Sequence, residues 1–117
     1  MLLLTDNETR KPSLSVWIKQ YREIIDALET AGVADRIDEA EAYRLCEHLC
    51  EASRQILYRV GRISRRDVEE LRDLFQQASD AVGDVEKRLS EDGATLAQGF
   101  AAHIRERVTL LADLLRE

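Results

Sequence analysis

Cys46 and Cys50 stand four residues apart in the run RLCEHLCEAS, a spacing that puts both on one side of a helix. Two thiolates so placed supply half of a tetrahedral zinc site, which His103 or a second subunit would have to complete. His48 cannot join them from the same helix, because a residue two positions away lies on the opposite side. Cysteine is also among the residues most often buried and packs as a small hydrophobe. Both cysteines fall on or beside an apolar stripe, so they are expected to be reduced, metal-free and mostly buried. Glu70 with Asp73, and Asp80 with Asp84, are spaced to share a hard cation. Solvated helix faces carry such pairs routinely. The Glu-x-x-His pairs of di-iron bundles are missing, since Leu45 and Phe100 stand three residues before the two histidines. There is no glycine-rich phosphate loop and no HExxH run. These residues predict no cofactor, no metal and no enzymatic activity.

His48 allows one further comparison. Its setting, HLCEAS, resembles the site of histidine phosphotransfer domains, which are four-helix bundles of about this size with an exposed histidine near the start of the second bundle helix. In that family the histidine is followed by Leu, Lys, Gly and Ser at the second to fifth positions. Here Cys50, Glu51, Ala52 and Ser53 occupy those places, so an acid replaces the lysine and an alanine the glycine. Glu47 and Glu51 would also repel a phosphoryl group. The resemblance implies at most a degenerate phosphotransfer-like protein, a third reading of function.

The densest chemistry is cationic. From Ala52 to Arg66 there are five arginines (54, 59, 62, 65 and 66) and no acid. Against a net charge of −6, those five leave about −11 on the rest of the chain, which predicts a basic tip on an acidic body. The stretch YRVGRISRRDVEEL also has the marks of a tight corner. Ser64 is a helix N-cap with Asp67 at the reciprocal position, and Ile63 and Val68 have the hydrophobic-staple spacing. Arg65 and Arg66 then fall in the first helical turn, where the dipole disfavours cations. Pairs to Glu69 and Glu70 offset that only weakly. A helix-turn-helix reading DNA would need basic or polar residues after that turn, and Asp67, Glu69, Glu70 and Asp73 stand there instead. An acidic protein surface is the better match. Tyr58, Arg59, Arg62, Arg65 and Arg66 are the expected partner-binding residues, because arginine and tyrosine are favoured at interfaces. A DNA-binding regulator using this corner is the alternative.

Four amphipathic segments must position these groups. Residues 1–12 read as an arm, in which Leu2, Leu3 and Leu4 could tuck against the body. Residues 13–117 form one domain. In the first helix, capped by Ser13 or Ser15, Leu14, Trp17, Ile18, Tyr21, Ile24, Ile25 and Leu28 mark one face, with Gly32 as left-handed terminator. In the second, Asp38 and Glu41 have capping-box spacing. Ala42, Leu45, Cys46, Leu49, Ser53, Ile56 and Val60 form its stripe, and Tyr43, Cys50 and Leu57 a second one beside it. The third carries Val68, Leu71, Phe75, Ala78, Val82, Val85 and Leu89 at alternating spacings of three and four, a seam used either inside a bundle or between chains. In the fourth, Phe100, Ile104, Val108, Leu111 and Leu115 mark the core face. Gly61 and Gly93 end the second and third helices.

The expected fold is an all-α antiparallel four-helix bundle with short glycine-containing turns. Leu, Ala, Glu and Arg dominate, and there is one proline in 117 residues. The broad face of the second helix and the seam of the third predict a homodimer, with Tyr43, Cys50, Leu57, Val68, Leu71, Phe75, Val82, Val85 and Leu89 as residues of a dimer or core seam. Two cysteines without a disulfide framework and the lack of a signal or membrane segment predict a cytoplasmic protein. Only three of 17 basic residues are lysine, a bias that GC-rich bacterial or phage genomes produce. The functional expectation is a non-enzymatic protein-binding module, a small acidic inhibitor or adaptor such as an antitoxin, an immunity or anti-defence protein, or a chaperone. Its partner is another protein, not DNA and not a membrane.

Overall fold

A chain this rich in 3.6-period apolar stripes buries them by packing helix on helix. The structure, a computed structural model, describes residues 14–58 and 65–115, with the side chain of Arg65 left out. It holds four helices: α1 (Leu14–Val33), α2 (Glu39–Tyr58), α3 (Arg65–Glu91) and α4 (Thr95–Leu114). No strand occurs among the described residues. Each helix reverses the direction of the one before it, giving the expected all-helical antiparallel bundle. The arm, Ser13, and the corner residues Val60, Gly61, Ile63 and Ser64 lie outside the described residues.

The expected faces are buried where large side chains meet. Ile18, Tyr21, Ile25 and Leu28 of α1 face Leu45, Cys46, Leu49 and Ile56 of α2 and Leu71, Phe75, Val82, Val85 and Leu89 of α3 in one core. Each fully buried large apolar side chain stabilises the fold by roughly 1.5–3 kcal/mol. The third helix spends its seam inside the chain, and Val68 is half-buried at its margin. Two hydroxyl bridges cross this interior. Ser53 donates to the Leu49 carbonyl at 2.8 Å, so at 2.9 Å from it Tyr21 must be the donor. By the same reasoning Thr109 donates to the Arg105 carbonyl and Ser79 donates to Thr109, at 2.8 and 2.7 Å.

The order of the helices around the bundle differs from a simple up-and-down arrangement. α1 packs on α2, and α3 on α4, as antiparallel hairpins, whereas α2 and α3 scarcely touch. The hairpins instead stack through parallel pairs. Arg22 meets Glu70 at one end of α1 and α3, and Gly32 meets Asp84 at the other. Tyr43 stacks on Phe100 near the start of α2 and α4. α2 and α3, consecutive in the chain, therefore stand at diagonal positions of the bundle.

Two expectations are corrected. Gly32 does not end α1 in a left-handed conformation; the helix runs on to Val33, and Gly93 is the one positive-φ glycine among the described residues. The end of α1 is satisfied from outside. Arg88 of α3 donates to the Gly32 carbonyl at 2.8 Å and to the Asp35 carbonyl at 3.4 Å, placing a cation on orphan acceptors. Gly93 does end α3, in a Schellman motif: Ala94 N donates to Leu89 O and Gly93 N to Ser90 O. The second correction concerns α4, whose core face is not filled by bulky side chains along its whole length. With Ile104 and Val108, the buried residues are Ala97, Ala101 and Ala112, and Phe100, Leu111 and Leu115 sit half-buried at its margins. Small residues let α3 come close, and a Cβ on Gly83 would already meet Arg105 at 3.4 Å.

Candidate interaction surface

The arginine corner is positioned by the end of α2 and the start of α3. Tyr58 is 76% exposed, and Arg66 is exposed. Arg59 and Arg62 lie outside the described residues, as does the side chain of Arg65. Glu70 does not pair with Arg66 as its spacing suggested. It binds Arg22 of α1 at 2.9 Å, and a shallow cleft there mixes Arg22 and Arg66 with Asp67, Glu70 and Asp73. Acids thus surround Arg66 on the α3 side, which disfavours a phosphate backbone as its ligand.

The α2–α4 side of the same end is different. Cys50, Arg54 and Leu57 of α2 and Ile104, Arg107, Val108, Leu110, Leu111 and Leu114 of α4 line an apolar groove of about 320 Å³. Leu110 and Leu114 are 61% and 70% exposed, and Leu57 is also exposed. The charged residues lining this groove are both cations, Arg54 and Arg107. At the other end of the same two helices Tyr43 and Leu96 are exposed beside Glu39, Arg44 and Glu47. Besides these and Tyr58, the exposed large hydrophobics among the described residues are Val16 and Val33, both on α1. Sequence spacing does not single out Arg107, Leu110 and Leu114, because the α4 stripe runs through Phe100, Leu111 and Leu115. The available signal is an excess of leucine in α4 over what one core face can hold.

The expected seam residues divide accordingly. Leu71, Phe75, Val82, Val85 and Leu89 are covered within the chain, whereas Tyr43 and Leu57 are exposed and Cys50 is half-buried. Cys46 is buried, and burial pushes its thiol up to about 11. Both cysteines are free thiols. Burial also raises the Tyr21 phenol, with its bond to Ser53 acting in the opposite direction. Asp38 accepts from the Glu41 amide at 3.2 Å, so half of the capping box forms, while Glu41 turns its carboxylate to Arg44. His48 is exposed along the α1–α2 cleft beside Glu51, and His103 is exposed on α4. Asp80 accepts from Gln76 at 3.2 Å, and Asp73 lies 3.7 Å from Arg72. No three His, Cys, Asp or Glu residues gather to hold a metal among the described residues, and no described helix is long and apolar enough to cross a membrane.

The chain matches no protein-family model, and neither the curated proteins nor the solved structures hold a significant match to it.

Proposed function

We propose that this chain is a protein-binding module, a small acidic inhibitor or adaptor that acts by contact through the basic end of the bundle. One observation supports the reading most directly: exposed Tyr58, Leu110 and Leu114 stand at the end of the bundle that also carries exposed Arg54, Arg66 and Arg107. Aromatic and apolar side chains beside arginine form the usual centre of a protein interface. Exposed apolar groups of this size stabilise nothing in the isolated bundle and become useful when a partner covers them. On this reading Tyr58, Arg59, Arg62, Arg65 and Arg66 contact an acidic surface of another protein.

The test uses affinity capture from a bacterial lysate, followed by binding of the purified captured protein. We expect Arg62→Glu with Arg66→Glu, and separately Tyr58→Ala, to weaken that purified interaction about tenfold or more while helix content stays constant. Unchanged binding in both variants would overturn the reading. Binding of duplex DNA at micromolar affinity in about 150 mM salt, lost in the double arginine variant, would transfer the arginines to the DNA-binding alternative.

A further inference from the structure

The α2 stripe has a symmetry of its own. Tyr43, Glu47, Cys50, Arg54 and Leu57 follow one another at spacings of four, three, four and three, so they form a single heptad-like line along the helix. Tyr43, Glu47, Arg54 and Leu57 are exposed and Cys50 is half-buried, which places the line on the open α2–α4 side rather than in the core. Its character inverts about Cys50. An apolar residue ends it on either side, Tyr43 and Leu57, and inside those stand an acid and a base, Glu47 and Arg54.

We infer that this stripe is a self-association surface, on which two copies of the chain pack α2 against α2 in antiparallel register with a two-fold axis at Cys50. The inference deepens the protein-binding reading by naming a second copy as one partner, and it rests on the α2 stripe rather than on the arginine tip. In this register Arg54 of each copy comes beside Glu47 of the other, and Leu57 beside Tyr43. A two-fold axis repeats each pair, so one complementary pair becomes two. The parallel register fails. It would set the cationic groove of one copy, with Arg54 and Arg107, against the same groove of the other. The antiparallel one instead brings that basic groove to the other end of the helix pair, where Glu39 and Glu47 flank Tyr43 and Leu96 and the cation there, Arg44, is held by Glu41 at 2.6 Å. One acid, Glu51, falls near the axis. It is already held on its own helix by Arg54 at 3.3 Å and Gln55 at 2.8 Å. Arg54 can then bridge it to Glu47 of the other copy. Exposed pairs within one helix contribute little to stability, so the intrachain Arg54–Glu51 contact does not compete strongly for the guanidinium.

The test is a charge exchange read by sedimentation of the full chain at micromolar concentration. The wild type should sediment at about twice the 13.4 kDa of one chain. Glu47→Arg alone and Arg54→Glu alone should each weaken the dimer about tenfold or more, with helix content unchanged. The double variant Glu47→Arg/Arg54→Glu should recover it, because both pairs are restored with reversed sign. A thiol-specific cross-linker should join two chains through Cys50 in the wild type and not in Cys50→Ala. A single species near 13.4 kDa, or a dimer indifferent to the single variants, would overturn the inference. So would a dimer that forms only after removal of residues 1–12, which would name the arm as the occupant of the stripe. Failure of any of these leaves the tip untouched, since Arg62→Glu with Arg66→Glu reads partner binding separately.

Discussion

The two parallel helix pairs of this bundle are put to different uses. Between α1 and α3 the contacts are specific, and the cleft left between them is lined mostly by charged side chains. Arg22 reaches Glu70, Arg88 caps the end of α1, Gly32 lies against Asp84, and the Tyr21 ring meets Phe75 edge-on at 5.5 Å. Between α2 and α4 the ring stack of Tyr43 and Phe100 is followed by an apolar groove whose leucines stand in solvent. The same element type, with the same periodicity, thus makes one interface whose open part is polar and one whose open part is apolar. What differs is where the small and the long side chains fall. Gly32 and the reach of Arg88 let α1 close on α3, whereas Leu57, Leu110 and Leu114 project where no further helix follows among the described residues.

That contrast is broken most severely at Phe75. Removing this fully buried ring from between the hairpins, Phe75→Ala, should cost about 3–5 kcal/mol in urea unfolding. Leu110→Ala on the open side should change the stability of the monomer by no more than about 0.5 kcal/mol. Equal losses would show that the open side is part of the core.

The two cysteines give a second contrast. The Cys46 thiol faces the core and ionises at about 11 rather than 9.0, so the folded state disfavours its thiolate. Below pH 9 the thiol is neutral in both states and the full stability is present. As pH rises from 9 towards 11 the unfolded chain loses this proton first, and stability falls by on the order of 2–3 kcal/mol. Unfolding curves across that window should flatten in Cys46→Ala. Cys50, half-buried on the open side, should react with an aromatic disulfide reagent in the native protein, well before Cys46 does.

A third change compares two neighbouring positions of α4 that differ in burial. Ala101→Leu adds three carbons at a fully buried position of α4 and should destabilise by about 1–3 kcal/mol. Ala102→Leu, at a half-buried neighbouring position, should cost less in the same thermal unfolding experiment.

The smallest test uses two helical glycines. Gly99 on α4 has no atom within 4 Å of a Cβ, so Gly99→Ala should raise stability by about 0.5–1 kcal/mol. Gly32→Ala places its methyl 3.4 Å from the Asp84 Cβ and should gain less or nothing. A larger gain at Gly32 would mean that α1 and α3 are not held as closely as described.

Much of this fold is written in local periodicity. The faces of α1, α2 and α3 follow from apolar spacing because large side chains fill them, and the Asp38 cap and the Gly93 terminator depend only on near neighbours in the chain. The end of α1 is not legible in this way. Its carbonyls are satisfied by Arg88, 56 residues from Gly32, and no local pattern encodes that distance. The face of α4 is obscured because alanine signals burial weakly in a sequence, while a leucine in contact with solvent looks the same as one in the core. The second stripe on α2 is visible as spacing, but its placement on an open side depends on how the two hairpins stack. The Arg66–Glu70 pair fails for the same reason, since a helix 48 residues earlier in the chain supplies Arg22 instead.

The diagonal placement of α2 and α3 has a consequence for how fast this molecule assembles. Within each hairpin the chain turns back over a few residues, and the Glu86–Arg105 contact spans only 19 positions. The contacts between α1 and α3 span 48 to 56. The entropy of closing a loop grows with the logarithm of its length, so each hairpin can close on its own before the long-range pairing is rewarded. Refolding should therefore pass its barrier as the hairpins meet, with the Tyr21–Phe75 contact, and not either turn, governing the rate.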